Sequence, residues 1–223
     1  MFIQKLIPLV LASLLSILSL SYCTYNITPS AQAPGDSTAQ SSGGSVAAAV
    51  NGAAAGSLEI TFDYAKQSGS ASNQFAVWIE DANHEYVTTL YATRFTANGG
   101  YKNRPDSLRE WVAKSDLASM DKTEVDAISG ATPAAGPLIY AWDLTDANGA
   151  PVPDGMYIFI VEGTLRWKNN VQYTGAFEVG GAAADIAPEP QYTYEGAGNQ
   201  PALNSGSTEN NMLSNLSAHY NPS

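Results

Sequence analysis

An all-β protein, an antiparallel β-sandwich carrying a short two-helix insertion, is the fold class that residues 57–180 predict. Three observations carry that expectation. Short runs of residues alternate apolar and polar with the period of a half-buried strand, turn-forming residues separate the runs, and one stretch between them changes to helical spacing. In order along the chain, Leu58, Ile60, Phe62 and Tyr64 share one face, with Glu59, Thr61 and Asp63 on the other. Phe75, Val77 and Ile79 repeat the pattern, and Asp81-Ala82-Asn83-His84 makes a turn, with His84 in solvent, into a strand from Tyr86 to Phe95. Pro105 suits the first turn of a helix whose Leu108, Trp111 and Val112 fall on one face. Asp121 reads as the N-cap of a second helix, with Glu124 three positions on, ahead of Val125 and Ile128. The insertion, 103–128, ends in Ser129-Gly130-Ala131-Thr132-Pro133. A sandwich does not need such a segment, which makes it a candidate for function. Strands at 138–142, 156–168 and 171–179 follow, the last two joined by a hairpin at Asn169-Asn170. Six or seven antiparallel strands in this span suit a sandwich better than any helical class.

The flanks have a different chemistry. Lys5 precedes an apolar run from Leu6 to Leu20, shorter than the roughly 20 residues of a membrane span and suited to a signal peptide, 1–23. Leu20-Ser21-Tyr22-Cys23 resembles a lipoprotein box, departing from it at Tyr22, so Cys23 is the expected lipidated N-terminus. Ala31-Gln32-Ala33 is the competing site for ordinary cleavage. Residues 24–56, rich in Ser, Gly, Ala and Pro, read as a disordered tether of about 30 Å root-mean-square reach. Residues 181–223 return to Gly, Pro, Asn and Ser and read as a flexible C-terminal tail.

Charge and composition exclude several function classes. Ten Lys+Arg stand against 21 Asp+Glu, a formal charge of −11, which argues against a nucleic-acid partner. With two histidines far apart and one cysteine, neither an all-His/Cys metal site nor a disulfide framework is available. Asp63, Asp143 and Asp146 form no pair placeable from sequence, so acid–base catalysis has no support. No catalytic or metal-binding residue is assigned, and the chain reads as a carrier or binding module rather than an enzyme.

Two resemblances add to this. Trp142 to Tyr157, with its Asn148-Gly149 and Asp154-Gly155 turns, resembles the Ig-like domain of flagellar hook-cap proteins, with Leu144 where that pattern has Gly. Leu58-Glu59-Ile60-Thr61-Phe62-Asp63-Tyr64, Asn73-Gln74-Phe75-Ala76-Val77-Trp78, Arg104-Pro105-Asp106-Ser107-Leu108 and Gly163-Thr164-Leu165-Arg166-Trp167-Lys168 resemble a family of predicted periplasmic proteins, domain of unknown function 2271. That resemblance implies export and an Ig-like fold. It also implies the company of flavin transferases and membrane electron-transfer proteins.

Asp126-Ala127-Ile128-Ser129-Gly130-Ala131-Thr132 is similar to the D-x-x-[ST]-G-A-[ST] acceptor of bacterial flavin transferases, in which FMN from FAD is joined through its phosphate to the last Thr. The chemistry asks for a hydroxyl nucleophile with small neighbours that let an enzyme approach. The resemblance makes Thr132 the attached residue, Ser129 the preceding hydroxyl, Gly130 and Ala131 the small neighbours and Asp126 the leading carboxylate. The structural alternative is a helix C-cap at Ser129-Gly130 followed by a turn at Thr132-Pro133. Arg94, Lys102, Arg104 and Arg109 form a basic cluster that either meets a flavin phosphate or pairs with Asp81, Glu80, Glu110 or Asp106. Trp78, Trp111, Trp142 and Trp167 either stack on a flavin or pack in the core, with Trp111 the expected platform. The expectation is a tethered extracytoplasmic protein of a flavin-based electron-transfer system, carrying covalent FMN on Thr132. Its partners would be a flavin transferase and a membrane redox protein, with membrane contact only through Cys23. The competing expectation is a non-catalytic envelope module with no cofactor.

Overall fold

The chain was described from a computed structural model over residues 56–67 and 73–222, all within the unit Ala49–Ser223. Cys23, the signal segment and all of the tether but Gly56 lie outside the described residues.

Ten strands form two sheets among the described residues: β1 Ser57–Tyr64, β2 Gln74–Asp81, β3 Tyr86–Thr93, β4 Ser129–Gly130, β5 Gly136–Trp142, β6 Gly155–Arg166, β7 Asn169–Val179, β8 Ala184–Ile186, β9 Gln191–Thr193 and β10 Leu213–Asn221. One sheet runs β5-β1-β10-β8, the other β4-β3-β2-β6-β7-β9. Every named ladder is antiparallel except the short β3–β4 pair. The chain is thus an all-β sandwich with a small helical insertion. Between the sheets, Leu58, Ile60, Phe62 and Tyr64 meet Phe75, Val77 and Ile79 together with Phe159, Val161 and Leu165, all buried. Removing each such side chain from water contributes about 1.5–3 kcal/mol, and this burial holds the two layers together.

The C-terminal stretch corrects the sequence expectation. Residues 181–222 are not a flexible tail, because β10 lies inside the four-stranded sheet, paired with β1 on one side and β8 on the other. Met212, Leu213, Leu216, Ala218 and Tyr220 are buried in the same core. Leu58 sits opposite Tyr220, and Ile60 opposite Ala218. Composition misleads here because Ser, Asn and His occupy the outward positions of a strand whose inward ones are apolar. The domain therefore extends past 180 to β10.

The hairpin between β6 and β7 also turns elsewhere. Trp167 and Lys168 make the turn, Trp167 with φ +52°, while Asn169 and Asn170 are buried in β7. Asn169 is used as a fastener: its Nδ2 donates to Arg166 O (2.8 Å) and its Oδ1 accepts from Leu203 N (3.0 Å).

The helical stretch begins earlier than the expected 103, because β3 ends at Thr93 rather than Phe95: it holds α1 Arg94–Ala97, a 3₁₀ turn at Gly100–Lys102, α2 Arg109–Lys114 and α3 Lys122–Ile128. Pro105 lies in the turns ahead of α2 rather than in its first turn, since Leu108 at the N-cap takes φ +50° and redirects the chain. Asp121 caps α3 as expected: Oδ1 accepts from Thr123 N (2.7 Å) and Glu124 N (2.9 Å), and Glu124 Oε2 accepts from Asp121 N (2.6 Å). Leu108, Trp111, Leu117 and Val125 pack on Ala76, Trp78 and Ile160, forming a second core on the outer face of the six-stranded sheet. Leu108 N donates to Thr164 Oγ1 (2.8 Å) and Trp111 Nε1 to Thr89 Oγ1 (2.9 Å). The insertion is therefore part of the scaffold as well as a carrier of the motif.

The segment joining β5 to β6 behaves as its turn chemistry requires. Leu144, where the hook-cap pattern has Gly, takes φ +60°, and Gly149 takes φ +78°. Trp142 packs on Tyr157 at 5.5 Å and donates from Nε1 to Thr145 O (2.7 Å).

Candidate functional site

The acceptor-like stretch begins on α3 and does not end in a turn. Ser129 is the C-cap of α3, with φ −121° and ψ 145°, an extended conformation, so the chain runs on as a strand and the expected exposed turn from Ser129 does not form. Instead Ser129 and Gly130 are β4, an edge strand in which Ser129 lies opposite Ala92 and Gly130 opposite Thr93. Ser129 Oγ is buried and without a hydrogen-bond partner among the described residues.

Tyr91 of β3 organises what comes next. Its hydroxyl donates to Ala131 O at 2.6 Å. Its ring lies against Gly130 so closely that a Cβ there would stand 2.7 Å from Tyr91 Cε2. A glycine is therefore required at 130 by close approach rather than by its dihedral angles. The same ring stacks on Phe75 (5.3 Å, 30°) and meets Tyr140 at 5.0 Å. Burial raises the Tyr91 hydroxyl pKa, with Arg94 opposing, so the group stays a proton donor at neutral pH. Burial, and then Tyr91, raise that of Tyr140 as well.

Beyond the Tyr91 contact the chain leaves the sheet. Residues 131–134 pair with no strand, Ala131 and Ala134 are exposed, and Thr132 is partly exposed between them. Asp126 is exposed on α3 and ion-paired with Lys122, and the Lys122 hydrogen bond chiefly holds its carboxyl below the usual range, with a smaller contribution from Arg94. Arg94 acts electrostatically on both Asp126 and Tyr91.

The other expected basic residues are engaged elsewhere. Arg109 pairs with Glu110 (3.2 Å), Lys102 lies over the Tyr101 ring (5.8 Å), and Arg104 lies 6.0 Å from both the Phe95 and Trp167 rings. Arg109–Glu110 is one of the pairings expected as the alternative to a phosphate-facing cluster. Trp111 is fully buried and cannot be a flavin platform; Trp78 and Trp142 are core residues, and Trp167 is partly buried. Sequence reasoning missed Tyr91 and Tyr140. Nothing local distinguishes them from other strand tyrosines, and the β3–β4 pairing that brings Tyr91 to Gly130 is long-range.

The remaining polar groups serve the scaffold. Asp63 accepts from Asn215 Nδ2 (2.8 Å), Asp143 from Thr145 Oγ1 (2.6 Å), and Asp146 from Asn148 N (2.8 Å) and Ala150 N (2.9 Å). His84 is exposed, as expected, and its Nδ1 meets Glu80 Oε2 at 3.3 Å; Glu80 also accepts from Trp78 Nε1 (2.9 Å). His219 Nδ1 meets Asp185 at 2.7 Å across β10 and β8. Glu162, buried under α2, accepts from Trp111 N (2.9 Å), and its desolvation pushes its pKa up to about 7. No group of three or more His, Cys, Asp or Glu able to hold a metal ion occurs among the described residues. No helix among them is long and apolar enough to cross a membrane.

Residues 55–194 match the family described as predicted periplasmic protein, domain of unknown function 2271. Comparisons with the curated proteins and with the solved structures find no match.

Proposed function

Since the chain belongs to this family of predicted periplasmic proteins, we propose that it is an extracytoplasmic electron carrier whose flavin is FMN, joined through its phosphate to Thr132. The observation that carries this reading is the position of Thr132: a partly exposed residue in the unpaired stretch after β4, closing the acceptor-like sequence. In the transfer, Thr132 Oγ attacks the flavin-side phosphorus of FAD. The P–O bond to the adenylate half breaks, AMP leaves with the bridging oxygen, and the hydroxyl proton passes to a base of the transferase. No electrons change hands in that step. Once attached, the flavin would supply one- and two-electron redox chemistry. Arg94, exposed and acting electrostatically on Asp126 of the motif, would be the cation that meets the resulting phosphodiester. An Ig-like classification, and a lipid anchor on Cys23 tethering the sandwich near a membrane redox partner, belong to the same proposal.

Co-expression with an active flavin transferase tests it. The expected outcome is an FMN mass increment on the intact protein and a fluorescent band, both lost in Thr132→Ala. A wild-type chain that stays colourless and unmodified refutes the flavin reading. A second reading, a cofactor-free envelope module, is favoured by the structural work this segment already does: β4 pairs with β3, and Ala131 accepts from Tyr91. Replacing Cys23 by Ala should release the protein from the membrane fraction; retention refutes the anchor.

A further inference from the structure

The acceptor-like stretch is closed in the folded chain at the positions a modifying enzyme would need to reach. Ser129 Oγ is buried, Gly130 is covered by the Tyr91 ring, and Ala131 O is taken by the Tyr91 hydroxyl. An enzyme that closes around a peptide needs both its main chain and its small side chains free. Here the Ser129–Gly130 backbone is paired to β3. Thr132 is partly open and lies beyond the paired residues. The element that blocks access is also the one most easily released. β4 has two residues, lies at the edge of its sheet, and is held by one parallel pairing and the Tyr91 contact. Short edge segments open locally at much lower cost than the whole fold.

We propose that Tyr91 is the latch of the acceptor strand, and that flavin transfer to Thr132 proceeds through release of β4 and Ala131 from β3 and Tyr91. This rests on Thr132 being the acceptor. Tyr91 is a positioning residue here and touches no reacting atom. Removing its hydroxyl leaves the ring on Phe75 and Gly130 and deletes only the bond to Ala131. A net hydrogen bond of about 1 kcal/mol corresponds to about a fivefold change in the opening equilibrium. When opening is fast relative to transfer, the modification rate follows that equilibrium.

The test uses the full chain, made without a transferase and then mixed with an active flavin transferase and FAD. Modification is followed by intact mass, and the opening of 126–135 by hydrogen exchange in the absence of enzyme. Tyr91→Phe should be modified about fivefold faster than wild type and should exchange about fivefold faster in that segment. Tyr140→Phe, which leaves the Tyr91–Ala131 bond in place, should change neither. Val179→Ala, on β7 of the same sheet, should lower global stability without accelerating either one. This separates a latch from general loosening. A Tyr91→Phe chain modified at the wild-type rate or more slowly, or with unchanged exchange in 126–135, overturns the latch. A wild-type chain that the transferase leaves unmodified overturns the acceptor assignment, and the latch's role in transfer with it. The exchange data would then still show whether Tyr91 holds the strand.

Discussion

Cutting the chain after Gly180 should abolish the fold, although composition makes residues 181–223 look expendable. The truncation removes β10 and with it four large buried side chains: Met212, Leu213, Leu216 and Tyr220. At about 1.5–3 kcal/mol each, their burial amounts to about 6–12 kcal/mol, comparable to the 5–15 kcal/mol of net stability typical of a domain. The cut also strips β1 of its β10 ladder, leaving it paired only with β5. It exposes the inner faces of Leu58 and Ile60, which lie opposite Tyr220 and Ala218. A milder perturbation grades the same effect. Tyr220→Ala should cost about 3–5 kcal/mol, because it empties a fully buried ring site and deletes the hydroxyl that accepts from Gly180 N at 2.9 Å. Urea unfolding followed by circular dichroism would compare 57–222, the Tyr220→Ala variant and 57–180. The expected series is a cooperative transition, a weakened one, and none. A cooperative transition for 57–180 at the midpoint of the longer chain would refute the assignment of β10 to the core.

Three further outcomes follow from the same contacts. Gly130→Ala should destabilise by about 1–3 kcal/mol, because the new Cβ meets the Tyr91 ring at 2.7 Å, and denaturant titration measures it. Glu162 binds a proton more tightly when folded, with a pKa near 7 against the ordinary 4.5, so stability should fall as pH rises through that window. The total loss is about 3 kcal/mol, and Glu162→Gln should flatten that slope in melts taken from pH 4 to 8. Thr132→Ala should shift stability by no more than about 0.5 kcal/mol, since the residue is partly exposed and outside both sheets, and its melting curve should overlay the wild type.

Local patterns were legible in the sequence where the physics is local. The period-2 faces of β1 and β2, the Asp121–Glu124 capping box of α3 and the inward Trp142–Tyr157 pair all follow from residues near one another in the chain. So does the all-β class, because strand alternation needs no knowledge of the partner strand. The acceptor-like motif was legible as a string of residue types, but its conformation was not: helix capping rules favour a turn at Ser129-Gly130, and pairing with β3 makes it a strand. Tertiary structure alone decided that Trp111 is core, that Arg104 lies 6.0 Å from both the Phe95 and Trp167 rings, and that Tyr91 closes over Gly130. It also decided that the polar-looking C-terminus supplies a central strand. Thr61 and Ser217 share a hydrogen bond across 156 positions of chain, and no window of sequence around either residue contains the other. A strand's faces are set by its own alternation, whereas its neighbours are set by which burial the whole chain can complete.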